Sequence, residues 1–380
     1  AIGGGIGASV IVSRAFGAKE YARMKSALYT ACLVFLGVAV LLAGFGLTFS
    51  RQIMTALNTP ADALEIAVLY LNIYFYGLPF LFMYNIESSM FNALGKSRIP
   101  PYFLIFSSIF NVVLDWILVT QFAMGVAGVA WATFLAQGVS AVLSFLVLLH
   151  ELKPFPADHV RLFDASELSE MVKIALPSIL QQSTVSIGMM LVQSVVNGFG
   201  SEALAGFSAA MRIESICCVP MSGIGNALSS YTAQNLGAGK PERIPMGFKT
   251  GLKLSELTAL PFVILYFGFS RQMMSLFLNA ESTGALNAGV AFLRIVSPWY
   301  LMIVVKLMTD GIIRGYGAML YFVLATIPDL ILRIIFALIF SQKFASTGIW
   351  MAWPFGWLAA TGLTIFFYRK VLKKMRCNNF

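Results

Sequence analysis

The feature that most constrains this chain is a series of long apolar stretches, each of the length that crosses a bilayer, about 20 residues. The stretches are continuous and lack strict alternation of polar and apolar residues, so they predict helices rather than barrel strands. Only 11% of the 380 residues are charged, against about a quarter in a soluble domain. We therefore predict an all-α integral membrane protein. The ten stretches are residues 27–49, 64–92, 101–121, 126–149, 170–198, 203–231, 247–269, 284–312, 318–340 and 348–368.

Basic residues alternate between the two sides of the membrane along the connecting loops. Most lie on one side, whereas the other side holds only Arg51, Arg271 and Lys343. This bias marks the richer side as cytoplasmic and places the C-terminus there. The net charge of +9 is thus explained by topology, and we expect membrane lipid but no nucleic acid as a partner. Cysteine and histidine show no metal-binding spacing, so no cofactor is expected.

The chain repeats itself about 220 positions later. Residues 50–54 read SRQIM and residues 270–274 read SRQMM. The loop with Gly17, Ala18 and Arg23 is likewise matched 220 positions on, and Gly95 falls on Gly315. An ordered set of matches of this kind predicts two copies of one membrane unit, both facing the same way.

The repeat also predicts the domain organisation. The second copy begins near Ser166, yet residue 1 matches residue 221, so about 55 residues of the first copy have no counterpart. We expect a six-plus-six-helix protein whose first helix and most of the second are missing from this chain. The predicted parts are an incomplete N-terminal lobe at 1–150, a cytoplasmic linker at 151–168, and a C-terminal lobe with a short basic tail at 169–380.

Several motifs resemble those of the multidrug and toxic compound extrusion (MATE) family. They are RAFGAKEYAR at 14–23, SYTAQNLGAGKPER at 230–243, FNALGKSR at 91–98, NVVLD at 111–115 and GVAGVAWAT at 125–133. The resemblance implies two six-helix lobes related by a pseudo-twofold axis. It also implies an antiporter, not an enzyme, that exports organic cations or other amphipathic toxic compounds in exchange for protons or sodium. We expect a monomer in a bacterial plasma membrane that works by alternating access.

Asp115 is the leading candidate for the coupling site, because an acid inside an apolar span is costly and usually functional. Asn111 shares its helix face, four residues earlier. Counting from the turns places Asn85 and Thr133 at the same depth as Asn111. The resemblance also assigns the coupling ion to an Asn, an Asp and a Thr that match Asn111, Asp115 and Thr133. We predict cation coupling by all four residues, with a sodium site at the last three.

The second copy differs at the corresponding place. Under a local shift of 218, Asp329 and Arg333 replace Asn111 and Asp115, and their spacing predicts an intrahelical ion pair. Glu214 either attracts a cationic substrate or pairs with a basic residue, Arg294 or Lys306. Two further acids, Glu87 and Asp310, are expected to stabilise the lobes. The predicted substrate cavity is lined by Gln182, Met189, Gln193 and Glu214.

The main alternative is a lipid-linked oligosaccharide flippase of the same superfamily, which would need a cavity rich in Arg and Lys. A channel and an intramembrane enzyme are less favoured. The paired copies suit rocking lobes better than a fixed pore, and the motifs HExxH, GxSxG and the P-loop are absent from the sequence.

Overall fold

The computed structural model describes residues 2–57, 59–278 and 282–377. Its contacts divide the chain into two compact units, Ala1–Ala175 and Leu176–Phe380. The division falls inside a helix, next to Pro177. The predicted boundaries of the linker and the two lobes stay a prediction.

The first unit is built from five helices and the beginning of a sixth. Helix α3 is central and packs against α1, α2 and α5, while α4 packs mainly against α5. A π-helical turn at Ile117–Gln121 follows α4. The helices are α1 (Ile2–Gly17), α2 (Tyr21–Ala56), α3 (Leu64–Ala93), α4 (Ile99–Trp116), α5 (Gly125–Glu151) and the start of α6 (Ala165–Asn197).

The second unit holds the rest of α6 and six more helices. Here α7 packs against α8, α10 and α11, and α11 packs against α8 and α12. The long α12 is interrupted at Ala345, where φ is 50° and ψ is −140°. The helices are α7 (Ser201–Gly237), α8 (Ile244–Gly268), α9 (Ser270–Ser275), α10 (Thr283–Val296), α11 (Tyr300–Tyr316) and α12 (Met319–Cys377).

Nine helical segments of the described chain are long and apolar enough to cross a membrane. The predicted stretches at 318–340 and 348–368 fall within one continuous segment, Met319–Met375, which explains why nine are counted instead of ten. Many large apolar side chains are exposed, among them Leu41 and Ile109, as lipid requires. The prediction of an all-α, multi-pass membrane protein is confirmed.

Small residues bring helices close together where polar contacts are scarce. A Cβ added to Gly311 would lie 2.4 Å from the carbonyl oxygen of Gly225, so α11 and α7 approach backbone to backbone. This is the packing expected in a membrane, where association relies on van der Waals contact.

The stretch before α6 is attached to α2. The backbone N–H groups of Arg161 and Asp164 donate to the hydroxyls of Ser26 and Thr30, each at 2.9 Å. Arg23 then contacts two acids on α6, Glu167 at 2.7 Å and Glu170 at 2.9 Å. These contacts place the beginning of α6 in the first unit.

The internal duplication is visible in the backbone. Three left-handed positions of the first unit recur in the second, 220 or 222 positions later. The pairs are Lys19 (φ 62°) and Gly239 (φ 67°), Gly95 (φ 75°) and Gly317 (φ 87°), and Ala123 (φ 51°) and Ala345 (φ 50°). A positive φ is uncommon outside glycine, so three recurrences in the same order indicate that the two units are copies of one design. The recurrence also corrects one predicted match, because the counterpart of Gly95 is Gly317 and not Gly315.

Candidate functional site

Helices α4 and α5 carry a polar strip that faces a cavity of about 310 Å³ in the first unit. Two interhelical hydrogen bonds hold these helices together. The Ser107 hydroxyl donates to the carbonyl of Ala136, and the Ser140 hydroxyl donates to the carbonyl of Phe103, both at 3.2 Å. The cavity is lined by Leu81, Tyr84, Asn85, Leu104, Ser107, Ser108, Asn111, Thr133, Ala136, Gln137 and Ser140.

Three of the four predicted coupling residues line this cavity together: Asn85, Asn111 and Thr133. The Asn111 amide nitrogen donates to the Thr133 hydroxyl at 3.4 Å, and that hydroxyl donates to the carbonyl of Val129 at 3.0 Å. The Asn85 amide nitrogen donates a hydrogen bond to the carbonyl of Leu81 at 2.7 Å. The amide oxygen of Asn85 is thus left as a further acceptor. The lining is thus rich in neutral oxygen acceptors.

Asp115 lies one helical turn beyond Asn111 and is not part of the cavity lining in the described structure. Its side chain is half-buried, and its buried Oδ1 atom has no hydrogen-bond partner among the described residues. The π-helical turn begins two residues later, and such turns are frequent at functional sites. An unpaired carboxylate oxygen next to a polar cavity suits a cation or a proton.

Sequence reasoning missed five polar members of the lining: Tyr84, Ser107, Ser108, Gln137 and Ser140. Two of them carried a signal, because Ser107 precedes Asn111 by four residues and Gln137 follows Thr133 by four. Side chains at that spacing share one helix face. Tyr84 joins α3 to α4 through a hydrogen bond to the carbonyl of Pro100 at 2.8 Å.

The second unit holds a buried charged cluster. The predicted Asp329–Arg333 pair is confirmed, with one guanidinium nitrogen at 2.9 and 3.1 Å from the two carboxylate oxygens. The guanidinium lies over the rings of Trp353, at 4.9 Å, and Trp357, at 5.9 Å. Met189 contacts the same group at 3.9 Å. The Arg333 charge is therefore neutralised by one acid and covered by aromatic rings.

Several other predicted polar residues have partners that differ from expectation. Lys306 binds Asp310 at 2.6 Å, and Arg294 donates to the Ser270 hydroxyl at 3.0 Å. The pairing of Glu214 with Arg294 or Lys306 is therefore wrong. Asp310 makes a buried ion pair with Lys306, a contact of the kind predicted for it, while its effect on stability stays a prediction.

Glu87 is fully buried, and neither carboxylate oxygen meets a hydrogen-bond partner among the described residues. The prediction that Glu87 makes lobe-stabilising contacts is therefore not supported by a hydrogen bond or an ion pair among the described residues. Of the residues predicted to line a substrate cavity, Gln182 and Gln193 are exposed on α6. Met189 is half-buried against Arg333, and Glu214 is only 5% exposed.

The backbone duplication corrects the predicted register between the two units. The left-handed positions before and after α4 both recur 222 positions later, so Arg333 corresponds to Asn111 and Asp329 to Ser107. The shift of 218 used for these residues was wrong, because two polar residues spaced by four can be superposed on another such pair in more than one register. The structural register places Arg333 where the first unit has a cavity-lining amide.

The following helix supports the same equivalence. Gly128 lies against Leu118, and Gly348 lies against Phe340. Because Leu118 and Phe340 are again 222 positions apart while the glycines are 220 apart, Thr133 corresponds to Trp353. The contact between Asn111 and Thr133 in one unit is thus replaced by the contact between Arg333 and Trp353 in the other.

A model of the MatE family matches residues 1–117 and 177–339 of the chain. The chain belongs to the MatE family. This MatE protein is consequently a membrane transporter and not an enzyme, as the sequence motifs predicted.

Curated relatives of this MatE protein are named for drug resistance, for transport or for export. It is 30% identical over 361 residues to the probable multidrug resistance protein YpnP of Bacillus subtilis (strain 168), covering 94% of this chain and 80% of YpnP. It is 26% identical over 289 residues to the FAD transporter of Shewanella oneidensis, covering 73% of this chain and 62% of the relative. It is 27% identical over 240 residues to the multidrug export protein MepA of Staphylococcus aureus (strain MSSA476), covering 62% and 52% of the two chains.

Solved structures share the fold of this MatE protein. A MOP superfamily transporter from Pyrococcus furiosus matches 99% of this chain and 84% of its own with a TM-score of 0.91, at 22% identity. An outward-facing multidrug resistance MATE family transporter matches 99% of this chain and 85% of its own with a TM-score of 0.91, at 23% identity. At these identities the likeness concerns the fold alone.

Proposed function

We propose that this protein is a secondary antiporter that exports organic cations or other amphipathic compounds in exchange for protons or sodium, by alternating access of its two lobes. The observation that carries the proposal is the cavity of about 310 Å³ lined by Asn85, Asn111 and Thr133, with Asp115 one helical turn beyond Asn111 on α4. Support for the drug class comes from the relatives named as multidrug resistance or export proteins. The protein would act as a monomer in a bacterial plasma membrane, with its C-terminus in the cytoplasm.

The chemistry of the first unit fits a coupling cation. Amide, hydroxyl and carboxylate oxygens are the ligands that a hard cation such as sodium takes. Asn111 and Thr133 supply the neutral oxygens, and Asp115 supplies the negative charge. A proton would instead bind to the Asp115 carboxylate directly. In either case the ion neutralises a charge that is costly within the membrane.

The substrate path is assigned to the exposed side of α6, with Gln182, Met189 and Gln193. A flexible thioether between two amides can adapt to substrates of varied shape. The flippase alternative is less favoured, because two cations inside the second unit, Lys306 and Arg333, are already paired with acids and not free for a pyrophosphate.

The proposal is tested by ethidium transport into proteoliposomes under an imposed proton or sodium gradient. The unchanged protein should accumulate ethidium against its gradient with one of the two ions. Asp115→Asn should abolish this coupled uptake while the protein remains folded, because the amide cannot bind a proton or supply a charge. Asp158→Asn, the same change at an exposed linker position, is the matched control and should transport normally.

Coupled uptake by Asp115→Asn at the rate of the unchanged protein would refute the assigned site. Downhill ethidium flux alone would indicate a channel. Movement of a lipid-linked oligosaccharide with no ethidium transport would indicate the flippase.

A further inference from the structure

Glu214 is a buried acid that neither the coupling site nor the ion pairs of the second unit use. It lies in the middle of α7 and is 5% exposed. Its Oε2 atom is buried without a hydrogen-bond partner among the described residues. An ionised carboxylate in such a place carries a large desolvation cost unless a cation compensates it.

The groups that face Glu214 are mostly neutral. They are the thiols of Cys217 and Cys218 on α7, the hydroxyls of Tyr266 on α8 and Tyr300 on α11, and the guanidinium of Arg333 on α12. The hydroxyl of Tyr266 already donates to the carbonyl of Ile213 at 2.8 Å. The hydroxyl of Tyr300 is fully buried and has no partner within the described residues.

Arg333 is the one cation among these groups, and it is already occupied. Asp329 binds it at 2.9 Å, and two tryptophan rings cover it. Among the described residues, the acid that pairs with Arg333 is Asp329, and no ion pair within 4.0 Å joins Arg333 to Glu214. On α11, Lys306 binds Asp310 and the Arg314 guanidinium lies over the ring of Phe322 at 5.5 Å. Arg294 of α10 donates to the hydroxyl of Ser270. Each of these cations thus has a contact other than Glu214.

We propose that Glu214 is a proton-binding site of the second unit, which holds its proton at neutral pH and is separate from the cavity near Asp115. A protonated carboxyl is neutral and can both donate and accept a hydrogen bond. It therefore needs no compensating cation in its buried position and leaves no net charge among the aromatic rings. The Asp329–Arg333 pair then stays intact, because no second carboxylate competes for the guanidinium.

The test is the pH dependence of thermal unfolding, measured on the whole chain in detergent between pH 5 and 9. A group that keeps its proton when folded and loses it when unfolded makes stability fall as pH rises, by up to about tenfold in the unfolding equilibrium per pH unit. Glu214→Gln mimics the protonated form and should remove that part of the slope. Glu242→Gln, the same change at an exposed position, should leave the slope of the unchanged protein in place.

Parallel pH profiles for Glu214→Gln and the unchanged protein would overturn the proposal. If Glu214→Gln does not fold, the protonation of Glu214 is measured by infrared spectroscopy instead. The protein used for this measurement keeps Glu214 and carries Asp115→Asn and Glu87→Gln. A carbonyl stretch of a protonated carboxylic acid at neutral pH is expected in that chain, and its absence would overturn the proposal as well. Because this readout needs no transport, it is independent of the proposed export function.

Discussion

The α4–α5 pair of the first unit and the two halves of α12 in the second are counterparts with opposite chemistry. Asn111 and Thr133 leave a polar cavity in the first. Their counterparts Arg333 and Trp353 stack on each other in the second. The same helix arrangement therefore encloses a polar cavity in one unit and holds a permanent cation, the guanidinium, in the other.

If the proposed coupling site lies in the first unit, the difference explains why the duplication need not supply a second one. Arginine does not release its proton in proteins, so a guanidinium at the place of Asn111 fixes a positive charge in the second unit. Asp329, one helical turn earlier, neutralises that charge. In the first unit no cation is paired with Asp115 among the described residues. An acid without a resident cation is the one that can respond to an ion from solution.

The largest expected effect comes from breaking the permanent pair. Arg333→Met should lower the free energy of unfolding by about 3–5 kcal/mol, because it leaves the buried carboxylate of Asp329 without compensation. Arg333→Met combined with Asp329→Leu should recover most of that loss, since no unpaired charge remains. Thermal unfolding in detergent checks both variants. Equal losses in the single and double variants would show that the ion pair is not what stabilises this cluster.

A smaller effect is expected from giving the first unit the aromatic residue of the second. Thr133→Trp should fill the cavity and remove the hydrogen bond to Asn111. Coupled ethidium transport should fall at least about tenfold, the change that a loss of 1.4 kcal/mol in cation binding produces. Leu135→Trp, on the exposed side of the same helix, is the control and should transport at the normal rate. Full transport activity of Thr133→Trp would show that the cavity is not needed for coupling.

The smallest effect is expected for Asp164, an acid outside the membrane. It shows how much an exposed charge contributes to stability. The hydroxyl of Ser166 at 2.5 Å, together with its backbone N–H at 2.9 Å, holds the pKa of Asp164 below its usual range. The stability from this contact is present above about pH 4, the ordinary value of an aspartate, and is lost as the pH falls through the lowered folded value.

Asp164→Asn keeps a helix-capping side chain but removes the charge. Its midpoint of thermal unfolding should lie slightly below that of the unchanged protein at pH 7, and the two should converge at pH 3. Added salt should reduce the difference further. A constant difference between pH 3 and 7 would mean that the charge of Asp164 contributes nothing.

Helix spacing and depth counting predicted much of the candidate site from the sequence. The four-residue spacing found the Asp329–Arg333 pair, and distance from the turns brought Asn85, Asn111 and Thr133 to one cavity. Aromatic residues were harder to place, because a tryptophan in a membrane helix can face lipid or a neighbouring helix with the same local pattern. The cover of Arg333 by Trp353 and Trp357 could only be seen once the two halves of α12 were folded against each other.

The attachment of residues 161–170 to α2 has a practical consequence for dividing the protein into two co-expressed fragments. Arg23 forms ion pairs with Glu167 and Glu170. A chain break within residues 156–159 would therefore leave residues 161–170, which bind α2, on the second fragment. A break after Ala175 would instead cut through α6. It would also leave residues 161–170 on the first fragment, so that the second fragment would lack them. The loop ahead of Arg161 is therefore the place for a reporter insertion or a protease site.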